Sequence, residues 1–108
     1  MAKGDEELLS VEKLSETEAR LIVSGPLFGE AGVQFEKRVE SLCVTNYRAI
    51  ILDLSMALGI TSSAIGKLLA AHKRLLSQNR TLKIDGCSDV LYSTFQKIKL
   101  DTLIEITR

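Results

Sequence analysis

Near the start of the chain, apolar residues occur in short runs that are typical of β-strands. Further along, they recur at the spacing of an α-helix. Residues 8–14 and 19–24 are two such runs, and the polar segment 15–17 between them predicts an antiparallel hairpin. Gly25 and Pro26 follow, and Pro26 is the only proline in the sequence. This pair is predicted to end the second strand sharply.

From about residue 30 the apolar positions predict an amphipathic helix. Its apolar stripe comprises Ala31, Phe35, Val39, Leu42 and Cys43. The continuous apolar run within residues 48–54 then predicts a strand that is either central in a sheet or covered on both faces. A second helix is predicted from Ser62 to about Asn79, with an apolar stripe of Ile65, Leu68, Leu69, His72, Leu75 and Leu76.

The last quarter of the chain predicts a strand, a helix and a final strand. Residues 81–84 form the strand, Gly86 ends it, and Ser88 caps a helix. The apolar face of this helix comprises Leu91, Phe95 and Ile98. Residues 103–106 are predicted to supply an edge strand. The order β-β-α-β-α-β-α-β predicts an α/β fold with a mixed sheet of four to five strands and about three main helices.

Charge and composition exclude some classes of protein. The formal net charge of the 108 residues is zero, so no overall field favours nucleic acid or an acidic membrane. Residues 1–60 carry 6 basic and 10 acidic side chains, and residues 61–108 carry 8 basic and 4 acidic ones. This asymmetry indicates either a protein interface or two solvated faces. No segment resembles a signal peptide or a membrane span, so we expect a cytoplasmic protein with reduced cysteines.

Few side chains could converge into an active site. His72 is the only histidine and lies on an apolar stripe, where a histidine at the edge of the core is the simpler interpretation. Cys43 and Cys87 lack the spacing of a zinc or redox pair. Asp53, at the predicted end of a strand, could serve a site or cap a turn. Because a phosphate-binding loop is also missing, we expect no enzyme, cofactor, metal site, nucleic-acid binding or direct membrane insertion.

Three consecutive hydroxyl residues, Thr61, Ser62 and Ser63, stand where the second helix begins. The first turn of a helix has unpaired N–H groups and the positive end of the helix dipole. A hydroxyl of Thr61 or Ser62 can cap these groups, and a phosphate added there would be stabilised. Ser62 is therefore either a structural cap or a switch.

The central strand and the following helix carry a motif: Ile51-Leu52-Asp53-Leu54-Ser55, a short loop, and Thr61-Ser62-Ser63-Ala64-Ile65-Gly66. It resembles the signature of the STAS domain, the fold of bacterial anti-sigma-factor antagonists. The spacing from Asp53 to Ser62 fits that signature without a gap. Thr61 stands where the family usually has aspartate, and Ala64 where it has glycine. The later segment at residues 81–88 resembles the family's fourth strand and the loop after it. The positions of the family's final helix and apolar tail are occupied by Leu91, Phe95, Leu100, Leu103 and Ile104. The resemblance implies a single STAS-like domain over residues 7–108, preceded by a disordered segment at residues 1–6.

In such antagonists the serine after the signature aspartate is phosphorylated by a serine kinase that is also the anti-sigma factor, and the unphosphorylated form binds that kinase. The resemblance therefore implies phosphorylation of Ser62, with Ser63 the less favoured acceptor. It also implies a partner-binding surface on the loop 58–61 and the following helix, bordered by Phe28. The residues expected on this surface are Leu58, Thr61, Ser62, Ser63, Ala64, Lys67 and Ala71. The alternative is a constitutive STAS-like subunit of a lipid-transport ATPase or signalling scaffold, in which these hydroxyl groups are never phosphorylated. The partner's identity and the oligomeric state stay open.

Overall fold

Hydrogen bonds between strands and helices packed against them define the architecture of residues 9–108, which the computed structural model describes. The segment predicted to be disordered, residues 1–6, and the predicted strand residue Leu8 lie outside the described residues. The strands are β1 (Leu9–Lys13), β2 (Glu18–Leu27), β3 (Ala49–Ile60), β4 (Thr81–Cys87) and β5 (Glu105–Thr107). The helices are α1 (Gly29–Cys43), α2 (Ser62–Leu76), α3 (Asp89–Lys97) and a short 3-10 turn at Leu100–Thr102.

The five strands lie in the sheet in the same order as in the chain. β1 pairs antiparallel with β2, whereas β2, β3, β4 and β5 are parallel neighbours. Each parallel connection passes through a helix, and right-handed crossovers in one direction place successive helices on the same face of the sheet. The predicted mixed sheet with three main helices is therefore confirmed.

One hydrophobic core lies between the helices and the sheet. Leu21 of β2 pairs with Leu52 of β3, which in turn pairs with Ile84 of β4, and all three are buried. Phe35 of α1 and Phe95 of α3 belong to the same buried cluster. Residues of the first and the last helix therefore share one core with the three middle strands.

Two strands continue further than the sequence predicts. β2 runs through Gly25 and Pro26 to Leu27, and β3 continues with it to Ile60. The pairing shifts register between Gly25 and Pro26, and a bulge of this kind tolerates a proline without an N–H donor. Gly25-Pro26 therefore does not end β2, and the predicted loop from Leu58 is strand up to Ile60. β4 likewise continues through Gly86 to Cys87, and the last strand begins at Glu105 rather than at Leu103.

The second predicted helix is shorter and rotated. α2 ends at Leu76, and Asn79, its predicted end, has a left-handed φ of 59°. Its buried residues are Ala64, Leu68, Ala71 and Leu75, whereas Leu76 is exposed. α1 packs against α2, and small alanine side chains allow two helices to approach closely. The buried face of α2 therefore includes Ala64 and Ala71, which the predicted apolar stripe did not contain. Among residues 9–108, the helices are too short or too polar to cross a membrane.

Candidate functional site

Thr61 forms the junction between β3 and α2. Its backbone is extended, and its Oγ1 accepts the N–H of Ala64 at 3.1 Å. Its carbonyl oxygen accepts the N–H of Ile65 at 3.0 Å and so begins the helix. Thr61 is therefore the N-terminal cap of α2, and Ser62, the first helical residue, is not.

The two following serines have different surroundings, although both are exposed. The hydroxyl of Ser63 donates a hydrogen bond of 2.9 Å to the Oε2 of Glu36 on α1. The hydroxyl of Ser62 has no hydrogen-bond partner among residues 9–108. Ser62 therefore presents a free nucleophilic oxygen at the surface, while the hydroxyl of Ser63 is engaged by a carboxylate.

The backbone of this helix start favours an anion near Ser62, whereas the Glu36 carboxylate opposes one at Ser63. The backbone N–H groups of Ser62 and Ser63 precede the first N–H that the helix itself can pair. α2 has no acidic residue in its first turn, so none of its own side chains offsets the positive end of the dipole. Lys67, one turn further along, lies 3.9 Å from the Oε2 of Glu40 at the rim between α2 and α1.

Phe28 lies beside this helix start because two parallel strands end together. Leu27 of β2 pairs with Ile60 of β3, which brings the next residues of both strands close. The ring of Phe28 packs against Gly59, where an added Cβ would lie only 2.6 Å from the ring Cζ. Phe28 is nevertheless 54% exposed. Phe28 is therefore an exposed apolar residue packed beside Gly59, and its place at the border of a partner-binding surface stays a prediction.

Leu58 and Met56 add exposed apolar area just before the hydroxyl cluster. Leu58 is 72% exposed and Met56 is 64% exposed, whereas Ala57 between them is buried. Pairing with β4 ends at Leu54, so in the described part of the chain β2 alone pairs with this part of β3. Sequence reasoning missed Met56, although its alternation with Ala57 was a usable signal.

Two residues expected at the surface are instead inside the protein. Ala64 is completely buried and Ala71 is almost completely buried, because both face the core that α1 helps to cover. Neither can contact a partner through its side chain, so the expectation that they contribute to the partner surface is wrong. We use the term β3–α2 surface for the exposed or half-exposed group formed by the other expected residues and Met56, namely Phe28, Met56, Leu58, Thr61, Ser62, Ser63 and Lys67.

Asp53 lies within β3 and not at a strand end, which corrects the prediction from sequence. Its Oδ1 accepts hydrogen bonds from the N–H of Ser55 at 3.1 Å and from the Oγ of Ser55 at 2.7 Å. Its Oδ2 lies 3.6 Å from an amino group of Arg20, and Arg20 is also 3.6 Å from Asp85. Asp53 lies at the strand irregularity between Leu52 and Leu54, so these contacts are made where the pairing with β4 shifts register. Asp53 therefore has a structural role in this geometry.

The cysteines are buried among apolar side chains. Burial raises the pKa of the Cys43 thiol above its ordinary value, and it raises the pKa of the Cys87 thiol to about 11. Both thiols are therefore protonated at neutral pH, the less reactive form. Within residues 9–108, no group of three or more histidine, cysteine, aspartate or glutamate side chains is arranged to hold a metal ion.

Comparison with protein families decides the relationship of this chain. The model of the STAS domain matches residues 12–108. The chain belongs to the STAS domain family. Comparison of this STAS domain with the curated proteins gives no significant match.

Solved structures confirm that the fold is that of anti-sigma-factor antagonists. Unphosphorylated SpoIIAA, an anti-sigma factor antagonist, superposes with a TM-score of 0.78 at 16% identity, over 93% of this chain and 88% of that one. The phosphorylated form of the Bacillus cell fate determinant SpoIIAA gives a TM-score of 0.72 at 16% identity, over 93% and 91% of the chains. An anti-sigma factor antagonist from Mycobacterium paratuberculosis gives 0.80 at 16% identity, over 91% and 82%.

Proposed function

We propose that this STAS domain is a non-enzymatic regulatory protein of the bacterial cytoplasm that controls transcription by binding a serine kinase that is also an anti-sigma factor. Binding uses the β3–α2 surface, and phosphorylation of Ser62 switches it off. The observation that carries this proposal is that the three adjacent hydroxyl groups differ in their hydrogen bonds. Thr61 caps the helix and Ser63 bonds to Glu36, which leaves the exposed hydroxyl of Ser62 free to react.

A phosphate on Ser62 fits the helix start without refolding the domain. It adds about −1.5 to −2 charges at neutral pH. The unpaired N–H groups of the first turn and the positive end of the dipole stabilise such a charge. Because the cap is made by Thr61, modification of Ser62 leaves the hydrogen bond to the Ala64 N–H intact.

The same phosphate opposes docking of a partner. Phe28, Met56 and Leu58 present exposed apolar side chains on or beside the strands that lead to Ser62, and a partner that covers them together with Ser62 must also exclude water from the phosphate. Removing the remaining water from a charged phosphate costs more free energy than a few apolar contacts return. Phosphorylation therefore favours the free protein, and dephosphorylation favours the complex.

Ser63 is the poorer acceptor for an electrostatic reason. Its Oγ lies 2.9 Å from the Glu36 carboxylate, so a phosphate on Ser63 would place two like charges side by side. Like charges at that distance repel. This difference supports Ser62 as the modified residue.

Phosphopeptide mapping tests the proposal. The tagged protein is purified from its own cells, and mass spectrometry identifies both the copurifying proteins and the modified peptides. We expect a serine kinase in the complex and a fraction of peptide phosphorylated at Ser62. Recovery of a transport ATPase or a signalling scaffold together with a wholly unmodified peptide would instead support the constitutive subunit, in which Thr61 and Ser62 are interface or capping residues and are never phosphorylated.

A further inference from the structure

A cleft opens at the end of the sheet opposite to the β3–α2 surface. It lies where β3 and β4 begin, between the loop after α1 and the turn after α2, and has a volume of about 550 Å³. This volume falls within the range of roughly 300–1,000 Å³ that is typical of small-molecule sites. The residues that line the cleft are Cys43, Val44, Thr45, Asn46, Arg48, Arg74, Gln78, Asn79 and Arg80.

All the charged residues in the lining are basic. The lining contains three arginines and no carboxylate, in a chain whose formal net charge is zero. The ion pairs among residues 9–108 do not include Arg48, Arg74 or Arg80. Guanidinium groups that have no carboxylate partner and share one concave surface, as those of Arg48 and Arg74 do, attract anions.

Arg80 has a fixed position in this cleft. Its guanidinium donates hydrogen bonds to the carbonyl oxygens of Tyr47 at 2.6 Å, Thr45 at 2.7 Å and Cys43 at 2.9 Å, and to the Oε1 of Gln78 at 2.8 Å. α1 has no basic residue in its last turn, so Arg80 supplies the positive charge that offsets the end of that helix. Arg80 thereby orders the wall of the cleft.

Arg48 and Arg74 are different because both are exposed and neither donates a side-chain hydrogen bond to residues 9–108. Arg48 comes directly before β3, and Arg74 lies in the last turn of α2. A guanidinium presents several N–H donors in a planar fork that matches the oxygens of a phosphate. These two side chains are therefore free to bind an anion that Arg80 alone could not hold.

We propose that this arginine cleft binds a small phosphate-bearing ligand. Arg48 and Arg74 bind the phosphate oxygens, and Arg80 holds the loop 43–47 in the shape that receives them. The amide side chains of Asn46 and Asn79 line the same space and offer further donors. This site is independent of the proposed switch, because it lies before β3 whereas Ser62 follows that strand.

The test is a titration of the protein with inorganic pyrophosphate at constant ionic strength, followed by backbone amide NMR shifts. Four proteins are compared: the unchanged chain, Arg48→Ala, Arg74→Ala and Lys73→Ala. Lys73 is an exposed neighbour of Arg74 that does not line the cleft, so its substitution removes the same charge. A parallel titration with ADP reports whether a nucleoside attached to the phosphates adds affinity.

We expect saturable shifts confined to residues 43–48 and 74–80. Because a hydrogen bond to a charged group is lost, Arg48→Ala and Arg74→Ala should each weaken binding about tenfold, and Lys73→Ala less than about twofold. The spectra also show directly that each variant is folded. Shifts that do not saturate, or equal weakening by Lys73→Ala and Arg74→Ala, would overturn the proposal, because they indicate only nonspecific attraction of anions.

Discussion

The Oγ1 of Thr61 accepts the N–H of Ala64 at 3.1 Å, and this one hydrogen bond assigns separate roles to two adjacent hydroxyl residues. Thr61 stands at the position where the family usually has aspartate, and both residue types cap helices well. The substitution therefore keeps the structural role of that position. It leaves Ser62 exposed, with no structural contact that its modification would break.

Thr61→Ala should lower the free energy of unfolding by about 0.5–2 kcal/mol, because the cap is lost. Ser62→Ala should lower it much less, since the Ser62 hydroxyl makes no hydrogen bond to the described residues. Urea denaturation followed by circular dichroism measures both values. The opposite order of the two variants would show that Ser62 is the cap in solution.

Leu58→Ser should weaken binding of the partner with little change in folding. Leu58 is 72% exposed, so the free protein gains little stability from its side chain. A buried anchor at the centre of an interface is worth more than about 1 kcal/mol, which corresponds to at least about a fivefold rise in Kd. Leu76→Ser is the matched control, since Leu76 is also exposed but lies at the far end of α2. If both variants change the Kd for the partner equally, Leu58 is not part of the interface.

Gly86→Ala should destabilise the fold, whereas Gly66→Ala should stabilise it. Gly86 has a φ of +102°, and an added Cβ would lie 3.0 Å from the Oδ1 of Asp53, so we expect a cost of roughly 1–3 kcal/mol. Gly66 lies inside α2 with nothing within 4 Å of an added Cβ, so alanine should add about 0.5–1 kcal/mol. Thermal and urea denaturation of both variants measure these changes. If both substitutions change the free energy of unfolding in the same direction, the close contact between Gly86 and Asp53 is contradicted.

The buried thiol of Cys87 should make stability depend on alkaline pH. Burial raises its pKa to about 11 from an ordinary value of 9.0, so the unfolded chain loses this proton first as the pH rises. The contribution of the thiol is complete below about pH 9 and is lost as the pH rises toward about 11. Urea denaturation across this range should show a steeper loss of stability for the unchanged protein than for Cys87→Ala. Parallel curves would mean that Cys87 is solvated in the native state.

Sequence patterns predicted the element order well, because the helices and inner strands bury one clear face. Phe35, Leu68 and Phe95 were correctly assigned to apolar faces that the structure buries. Strand ends were predicted poorly, since the bulge at Gly25 and Pro26 depends on pairing between distant residues. Local periodicity could not show this pairing.

The site was predicted partly, for a similar reason. The chain neighbours of Thr61 showed that a helix begins there, so the hydroxyl cluster was visible in the sequence. Burial of Ala64 depends on α1, which packs against α2 from elsewhere in the chain. Likewise, the hydrogen bond from Ser63 to Glu36 spans 27 residues, so the difference between the two serines became clear only in the structure.

Recovery of the partner by variants of the two serines tests the central claim most directly. Tagged Ser62→Asp, Ser62→Ala and Ser63→Asp proteins are expressed in the native cells, and the copurifying serine kinase is quantified by mass spectrometry, with circular dichroism as the check on folding. We predict that Ser62→Ala retains the kinase and that Ser62→Asp loses it while its spectrum is unchanged. Retention of the kinase by a folded Ser62→Asp protein would contradict the proposal that Ser62 is the switch.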